Sequence, residues 1–577
     1  MNLAQLIDKF KLNYQVMGIV DLDQWHREPL HNKIPWLKHT LRAYQCEQYE
    51  SDQRLVFTLA QGDEYPDANS TQGRIAEFLA KITYELDLRN RFIVVLTNSQ
   101  SVEDFVATYQ QHSLDPVAIT VSVFESSPIE RRVVPQPPSN YGYGTVIPNN
   151  IDLDQLTDRE RHLLTESETF CMYPWMHLHL YPDGRAKPCC MAEHREVEPL
   201  GNASTTTMRE IWNSDAMKKL RLNMLAGKPS AECQRCYEKE KSGFFSGRRS
   251  ANKHHGHHIK RVNETQQDGH LERFEMTHWD IRFSNLCNLR CRSCGHMFSS
   301  SWYQDQVTLV GDDYAKKNRP LISAGRHETD IWEQLLEHID HVEQIYFAGG
   351  EPLIMDEHYR ILDELERREM WHVRLIYNTN FTQVRLRNRY VFDYWRKFDS
   401  VAVGASLDAQ GARAEYIRKG TVWSTVEDNR KRMLDTCPGV NFFISPTISI
   451  LNALHVPDFH QDWVERGLLQ HQDLNVNLLQ DPHYLRADIA PAGLKAQIVT
   501  RIENHLAWLR PHDRLKRATD GFESLIRFIQ ATDNTHFIPE FWRKTNQLDL
   551  VRREQLLQSI PELQGLVLDV NSNQSNN

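Results

Sequence analysis

Cys287, Cys291 and Cys294 stand in Ser-Asn-Leu-Cys-Asn-Leu-Arg-Cys-Arg-Ser-Cys, a C-x3-C-x2-C spacing that directly follows the strand-like Trp-Asp-Ile-Arg-Phe of residues 279–283. Three thiolates so placed can hold three irons of a 4Fe-4S cluster and leave one iron open to an outside ligand, whereas the usual quartet closes all four. Structural zinc is the alternative. It wants four ligands, and only His296 follows closely enough to complete a C-x3-C-x2-C-x-H knot.

The second chemical element comes one helix and one strand later. Gln-Ile-Tyr-Phe-Ala from Gln344 runs into Gly349, Gly350, Glu351 and Pro352. Two glycines expose backbone at the tip of an apolar strand, and Glu351 offers a carboxylate to a cation. Gly-Gly before Pro is also an ordinary strand-to-loop turn. Taken together, the triad and this turn resemble the signatures of the radical SAM superfamily. The resemblance implies that S-adenosylmethionine occupies the open iron, with its ammonium at the Gly-Gly-Glu-Pro turn. The reduced cluster would then release a 5'-deoxyadenosyl radical.

Residues 277–481 repeat strand then helix, with strands at 280–283, 344–347, 373–377, 401–406, 441–445 with 447–450, and 474–479. Six such units imply a parallel sheet curled into an open barrel, functional residues at the strand C-terminal ends. The fold class is therefore α/β, a partial (β/α)6 barrel, which is also what the resemblance implies for residues 275–485. Residues 307–326, rich in polar residues, look like an insertion in the first unit. At the tips of strands three and four, Asn380 and Ser406 can reach a bound nucleoside. Turn chemistry also favours Asn and Ser there. The stretch from Ser406 to Arg418 resembles the family segment whose Ser and Arg contact the cofactor, which assigns Asn380, Ser406 and Arg418 to binding. The position before the third triad cysteine is commonly aromatic in that family. Here it is Ser293, so adenine packing must come from elsewhere.

Eight of the ten cysteines fall from Cys171 to Cys294 in ligand-like spacings, too few in 577 residues for a disulfide scaffold. Cys46 and Cys437 lie alone and read as inert. Upstream of the triad, Cys171 precedes the alternating Met-His-Leu-His-Leu-Tyr of residues 176–181, then Pro-Asp-Gly, Cys189 and Cys190, and finally Cys233-Gln-Arg-Cys236. This pattern reads as a hairpin presenting thiolates. Residues 166–250 resemble the twitch domain, the shorter relative of the SPASM domain, down to Ile211-Trp-Asn and the closing C-x2-C. The resemblance implies one auxiliary 4Fe-4S cluster on Cys171, Cys189, Cys233 and Cys236, with Cys190 spare or substituting for Cys189. A zinc ribbon is the alternative. In that family the module follows the barrel, whereas here it precedes it. His254-His-Gly-His-His between the two reads as a solvated linker.

Residues 1–130 read as a small α/β domain with strands at 54–60, 92–96 and 118–124 and helices near 73–88 and from Ser101. Residues 131–165 read as a Pro- and Gly-rich linker. Residues 486–577 read as a helical region ending in a disordered polar tail. With 40% hydrophobic and 25% charged residues, the chain has material for several cores. No long apolar run or signal peptide is evident, so a soluble cytoplasmic protein is expected. A formal net charge of -10 leaves nucleic acid unsupported as a partner.

The functional expectation is hydrogen abstraction by a radical SAM enzyme, an oxidoreductase or maturase acting on a peptide or protein. An electron donor such as flavodoxin or ferredoxin would reduce it. Rival readings are a small-molecule dehydrogenase, a nucleic-acid modifying enzyme, and a zinc-bearing binding protein without catalysis. Asp481, after strand six, is a candidate base, and an Asp-Pro turn residue is the plainer reading.

Overall fold

The computed structural model describes residues 151–566 apart from 193–197, 242–245, 328, 514 and 565, together with the backbone of five strands between Gln15 and Val133. The chain divides into two compact units, Met1–Ser139 with Asp513–Lys516, and the remainder.

In the first unit β1 (Gln15–Ile19), β2 (Leu55–Leu59), β3 (Phe92–Leu96) and β4 (Thr120–Val123) pair in parallel, and β5 (Arg131–Val133) closes the edge antiparallel to β4. The apolar runs expected as strands thus form one sheet, and β5 falls where a linker was expected. The expected helices near 73–88 and from Ser101 lie outside the described residues, as does the polar tail.

The second unit is built on one eight-stranded sheet. Its upstream part is a meander of β6 (His177–Leu180), β7 (Arg185–Lys187) and β8 (Gly201–Asn202), antiparallel throughout. Gly184 makes the turn between β6 and β7 with φ +80, where an added Cβ would stand 2.5 Å from the Asn202 and Ser204 side chains. The remaining strands are β9 (His278–Ile281), β11 (Gln344–Phe347), β12 (Arg374–Thr379), β15 (Val401–Ala405) and β17 (Asn441–Ile444), all parallel to their neighbours. Between them lie the short β10 (Arg290–Cys291), a hairpin of β13 (Arg385–Leu386) and β14 (Arg389–Tyr390), and β16 (Arg418–Lys419).

The two parts share the sheet because β6 pairs in parallel with β9, His177 opposite His278 and Leu180 opposite Ile281. The cysteine-rich segment therefore extends the edge of the sheet at its first strand, and its place before that strand in the chain makes this edge the near one.

Alternation builds the sheet's two faces. Ile345 and Phe347 on β11 and Leu375 and Tyr377 on β12 are buried, and Phe347 stacks on Tyr377 at 5.0 Å. The helix Asp356–Arg367 covers that face with His358, Tyr359, Ile361, Leu362 and Leu365, spaced three and four apart. The sixth expected strand follows the end of β17 in parallel, in two short pieces rather than one continuous strand. Leu474 makes a single bridge to Ile444, and β19 (Asn477–Leu478) pairs only with β18 (Thr447–Ile448). The backbone still bonds alongside, Asn475 N donating to the Ile444 carbonyl at 2.9 Å, Asn477 N to the Pro446 carbonyl at 3.1 Å and Leu479 N to the Ile448 carbonyl at 3.0 Å, and Pro446, without an N–H, interrupts the ladder. Beyond it come the helices Ala492–Leu509, Arg517–Ala531 and Ile538–Arg552. Among the described residues no helix is long and apolar enough to cross a membrane.

Candidate functional site

The loop after β9 is stitched closed before it presents its thiols. Asn285, fully buried, donates its N–H to the Ile322 carbonyl at 2.9 Å, accepts the Ile322 N–H at Oδ1 at 2.9 Å and donates Nδ2 to the His296 carbonyl at 2.7 Å. Residues 307–326, expected as an insertion, thus fold back onto the cysteine loop. The hydroxyls of Ser299 and Ser301 donate to the Leu289 and Cys287 carbonyls at 2.6 Å, and Trp302 Nε1 donates to the Cys291 carbonyl at 2.8 Å. Burial pushes the Cys287 and Cys294 thiols up to about 12, with Cys291 beside each adding to the effect.

His296 does not join them. Its Nδ1 meets the Tyr314 hydroxyl at 2.7 Å and its Nε2 the Pro320 carbonyl at 2.9 Å, so both ring nitrogens are taken and the zinc knot lacks its fourth ligand.

The Gly-Gly-Glu-Pro turn lies against this loop. Gly350 has φ +48, and a Cβ on it would stand 2.2 Å from the Leu286 carbonyl oxygen, one residue before Cys287. The Glu351 N–H donates to that same carbonyl at 2.8 Å. Its carboxylate differs from the expectation of a group held out to a cation. It is 1% exposed and accepts from Leu353 N at 3.1 Å, Thr379 Oγ1 at 2.7 Å and Asn380 N at 2.6 Å. Glu351 therefore ties the turn to the tip of β12, and burial raises it to about 7 despite those three donors. Pro352 is buried at the start of the next turn.

From the tip of β12, Asn380 Nδ2 donates to Asn288 Oδ1 at 2.9 Å, and Asn288 Nδ2 donates to Thr382 Oγ1 at 2.9 Å. Asn288 sits inside the C-x3-C spacing, so Asn380 grips the cysteine loop directly. Nothing in residue type or spacing singled Asn288 out. Ser406 lies half-buried past the end of β15, its N–H donating to the Thr379 carbonyl at 2.7 Å.

Arg418 meets the triad through backbone and side chain. In the antiparallel pair of β10 and β16 it stands opposite Cys291. Its Nε and Nη2 donate to the buried Asp408 at 2.8 and 3.0 Å, and Nη1 lies 3.5 Å from Cys291 Sγ. Burial raises the Cys291 thiol, and Arg418 acts against that rise.

A second set of ion pairs, invisible in the sequence, holds the loop from the C-terminal helices. Arg292, whose guanidinium lies 3.6 Å from the Tyr416 ring centroid, pairs with Asp549 and with Glu554 at 2.8 Å. Arg290 and Arg552 share Asp305, at 2.7 and 2.8 Å. Asp481 is an exposed turn residue before Pro482, as the plainer reading has it.

Upstream, Arg221 organises the cysteine segment. Fully buried, it donates to the Pro174, Trp212 and Gly269 carbonyls and to Asn213 Oδ1, and burial lowers it to about 9. Asn213 in turn bonds Leu271 through both N–H and carbonyl, which gives the Ile211-Trp-Asn motif its packing reason. The thiols gather beside it. Burial raises Cys171, and Cys233 and Cys236 raise it further; Cys189 is raised the same way and has Cys190, Cys171, Cys233 and Cys236 as its neighbours. Cys190, beside Cys189, also meets Asp280, its thiol pushed up to about 12 by burial and then by Asp280, with Arg282 acting against it.

Asp280 belongs to a buried polar seam where the cysteine segment joins β9. It pairs with His179 and Arg282, both at 2.9 Å, while His177 stacks on His278 at 4.5 Å. His255 stacks on His278 from the other side at 5.3 Å. The histidine tract expected as a solvated linker is therefore folded, in the helix Gly247–His255 and the turn Gly256–Glu264.

The donor chemistry suits iron-sulfur clusters at both thiol sites. Thiolates 2.3 Å from one tetrahedral zinc stand about 3.8 Å apart. Among the described residues, the trio of ligand atoms within 4.8 Å of one another is His257, His258 and Glu343, with no cysteine in it. Among the described cysteines, no three thiol sulfurs stand within 4.8 Å of one another.

Residues 171–237 match the SPASM family, an iron-sulfur cluster-binding domain. This segment is a SPASM domain. Through β6, the SPASM domain hydrogen-bonds directly to β9 of the parallel sheet. No curated protein matches the chain. Among solved structures the chain is similar to native anSMEcpe with bound AdoMet and to native anSMEcpe with bound AdoMet and Kp18Cys peptide. Each is 20% identical with a TM-score of 0.28, over 39% of this chain and 58% of the other. The chain thus covers less than two thirds of the length of either.

Proposed function

We propose that the chain is a radical SAM enzyme, its parallel sheet a partial (β/α)6 barrel, acting as a maturase or oxidoreductase on a peptide or protein. Cys287, Cys291 and Cys294 would hold a 4Fe-4S cluster that, with S-adenosylmethionine, would supply radical chemistry for hydrogen abstraction from the substrate. The observation that carries this reading is a three-thiol set at the C-terminal edge of a parallel sheet from which His296, the fourth candidate, is turned away.

The chain's own residues supply position and charge. Arg418, fixed on Asp408, places a positive charge beside the Cys291 thiol and so favours the thiolate that a metal requires. Glu351 fixes the half-buried backbone of Gly349 and Gly350 next to Leu286, leaving those peptide groups, with Asn380 and Ser406 nearby, to hold a nucleoside and its amino acid. Cys171, Cys189, Cys233 and Cys236 would hold a second cluster in the SPASM domain. Four ligands leave it no open site, which suits it to passing electrons rather than binding substrate. Flavodoxin or ferredoxin would supply the electrons, in the cytoplasm.

The peptide class rests on resemblance to the radical SAM family with SPASM-type domains. Comparing peptide masses from cells carrying the active chain with those carrying its Cys287/Cys291/Cys294→Ala variant tests it. A peptide shifted only with the active chain is expected. Peptides unchanged while a small metabolite is oxidised would move the reading to the dehydrogenase class.

A further inference from the structure

Away from both thiol sites, two imidazoles and a carboxylate converge. Adjacent residues His257 and His258 bring their rings to 4.1 Å between centroids on the turn Gly256–Glu264. Facing them is Glu343, at the entry to β11. Its backbone is fixed from both sides, its N–H donating to the Thr277 carbonyl and its carbonyl accepting from Arg374 N, each at 2.8 Å. His257 Nε2 lies 2.8 Å from Glu343 Oε2, and His258 Nε2 lies 2.9 Å from Oε1.

We propose that His257, His258 and Glu343 form a site for a divalent cation of the zinc class, separate from the iron-sulfur ligands. One ligand atom from each lies within 4.8 Å of the others, which a single ion can bridge with bonds of about 2.0–2.2 Å to nitrogen and oxygen. The His258 contact has the length of a hydrogen bond without its direction, for Nε2 has no hydrogen-bond partner although Oε1 is 2.9 Å away. Two nitrogens and a carboxylate are borderline-hard donors, unlike the thiolates, so this trio selects zinc over an iron-sulfur cluster. Arg261, which also faces Glu343, is paired with Glu275, leaving the Glu343 carboxylate to the histidines and the ion. The three side chains are 27%, 11% and 42% exposed, so water can fill the remaining coordination positions. An ion here would clamp the segment between the SPASM domain and β9 onto β11.

The test uses the full chain after anaerobic iron-sulfur reconstitution, with the thiols occupied, and zinc added and then dialysed to a fixed free concentration. The wild type is expected to keep one zinc per chain with nitrogen and oxygen neighbours by X-ray absorption. His257→Ala and Glu343→Gln should each weaken zinc binding by more than about 100-fold, beyond what loss of an outer-shell partner costs, with iron content unchanged. His257 is partly exposed and outside the sheet, so its variant decides the matter if Glu343→Gln fails to fold. No zinc on the wild type, sulfur in its coordination shell, or undiminished affinity in His257→Ala would overturn the proposal.

Discussion

Arg418 closes a two-pronged pair on Asp408 and turns its remaining nitrogen to Cys291 Sγ at 3.5 Å. One guanidinium thereby couples the end of β15 to the middle cysteine of the triad. Arg418→Ala would leave Asp408 buried without its cation, a loss of about 3–5 kcal/mol. Adding Asp408→Ala to it should cost less than the sum of the two single changes, measured by denaturant unfolding of the reconstituted protein. Additive losses would show that the two do not act as a pair.

Glu351 gives a pH dependence of definite sign. Its folded value, about 7, lies above the ordinary 4.5. A raised acid contributes stability that is full below 4.5 and lost as pH rises through 7, about 3 kcal/mol at most. The wild type should therefore lose thermal stability relative to Glu351→Gln between pH 4.5 and 7. Because the amide presents a donor where two N–H groups and a hydroxyl donate, the variant should also be less stable at pH 4.5, by about 1–3 kcal/mol. Parallel melting curves across this range would contradict the buried carboxylate.

The C-terminal helix should matter to the cysteine loop despite lying far away in sequence. Asp549→Asn and Glu554→Gln together remove both counter-charges of the buried Arg292. The expected result is faster loss of iron from the triad on dilution into chelator, with the SPASM iron retained. Equal rates would show that Arg292 does not secure the loop.

What was legible in the sequence is what local spacing encodes. The triad, the two glycines before Glu351 and the later Arg418 each sit within a short motif, and the structure brings them into one network. Asn288 escaped because a residue between two ligands has no periodicity to betray it. Arg292 and Asp549 are 257 positions apart, and no pattern in either segment names the other. The pairing of β6 with β9 was equally hidden, since it depends on which sheet edge is free. Alternating histidines at 177 and 179, opposite His278 and Asp280, were its one trace. The sixth strand pairs only in pieces because Pro446 has no N–H to give to its neighbour.

The SPASM thiols separate from Cys190 by measurement. Cys171, Cys189, Cys233 and Cys236 neighbour one another, and Cys190, beside Cys189, is the one of the five that also meets Asp280. Reconstituted wild type should carry about eight irons, the quadruple Ala variant about four, and Cys190→Ala about eight. Loss of about four irons from Cys190→Ala would make it a ligand in place of Cys189.

The central claim is that Cys287, Cys291 and Cys294 support reductive cleavage of S-adenosylmethionine. Anaerobically reconstituted protein with dithionite should form 5'-deoxyadenosine and methionine in equal amounts, and the Cys287/Cys291/Cys294→Ala variant should form neither. Equal 5'-deoxyadenosine from the variant, or none from iron-loaded wild type, would contradict the account.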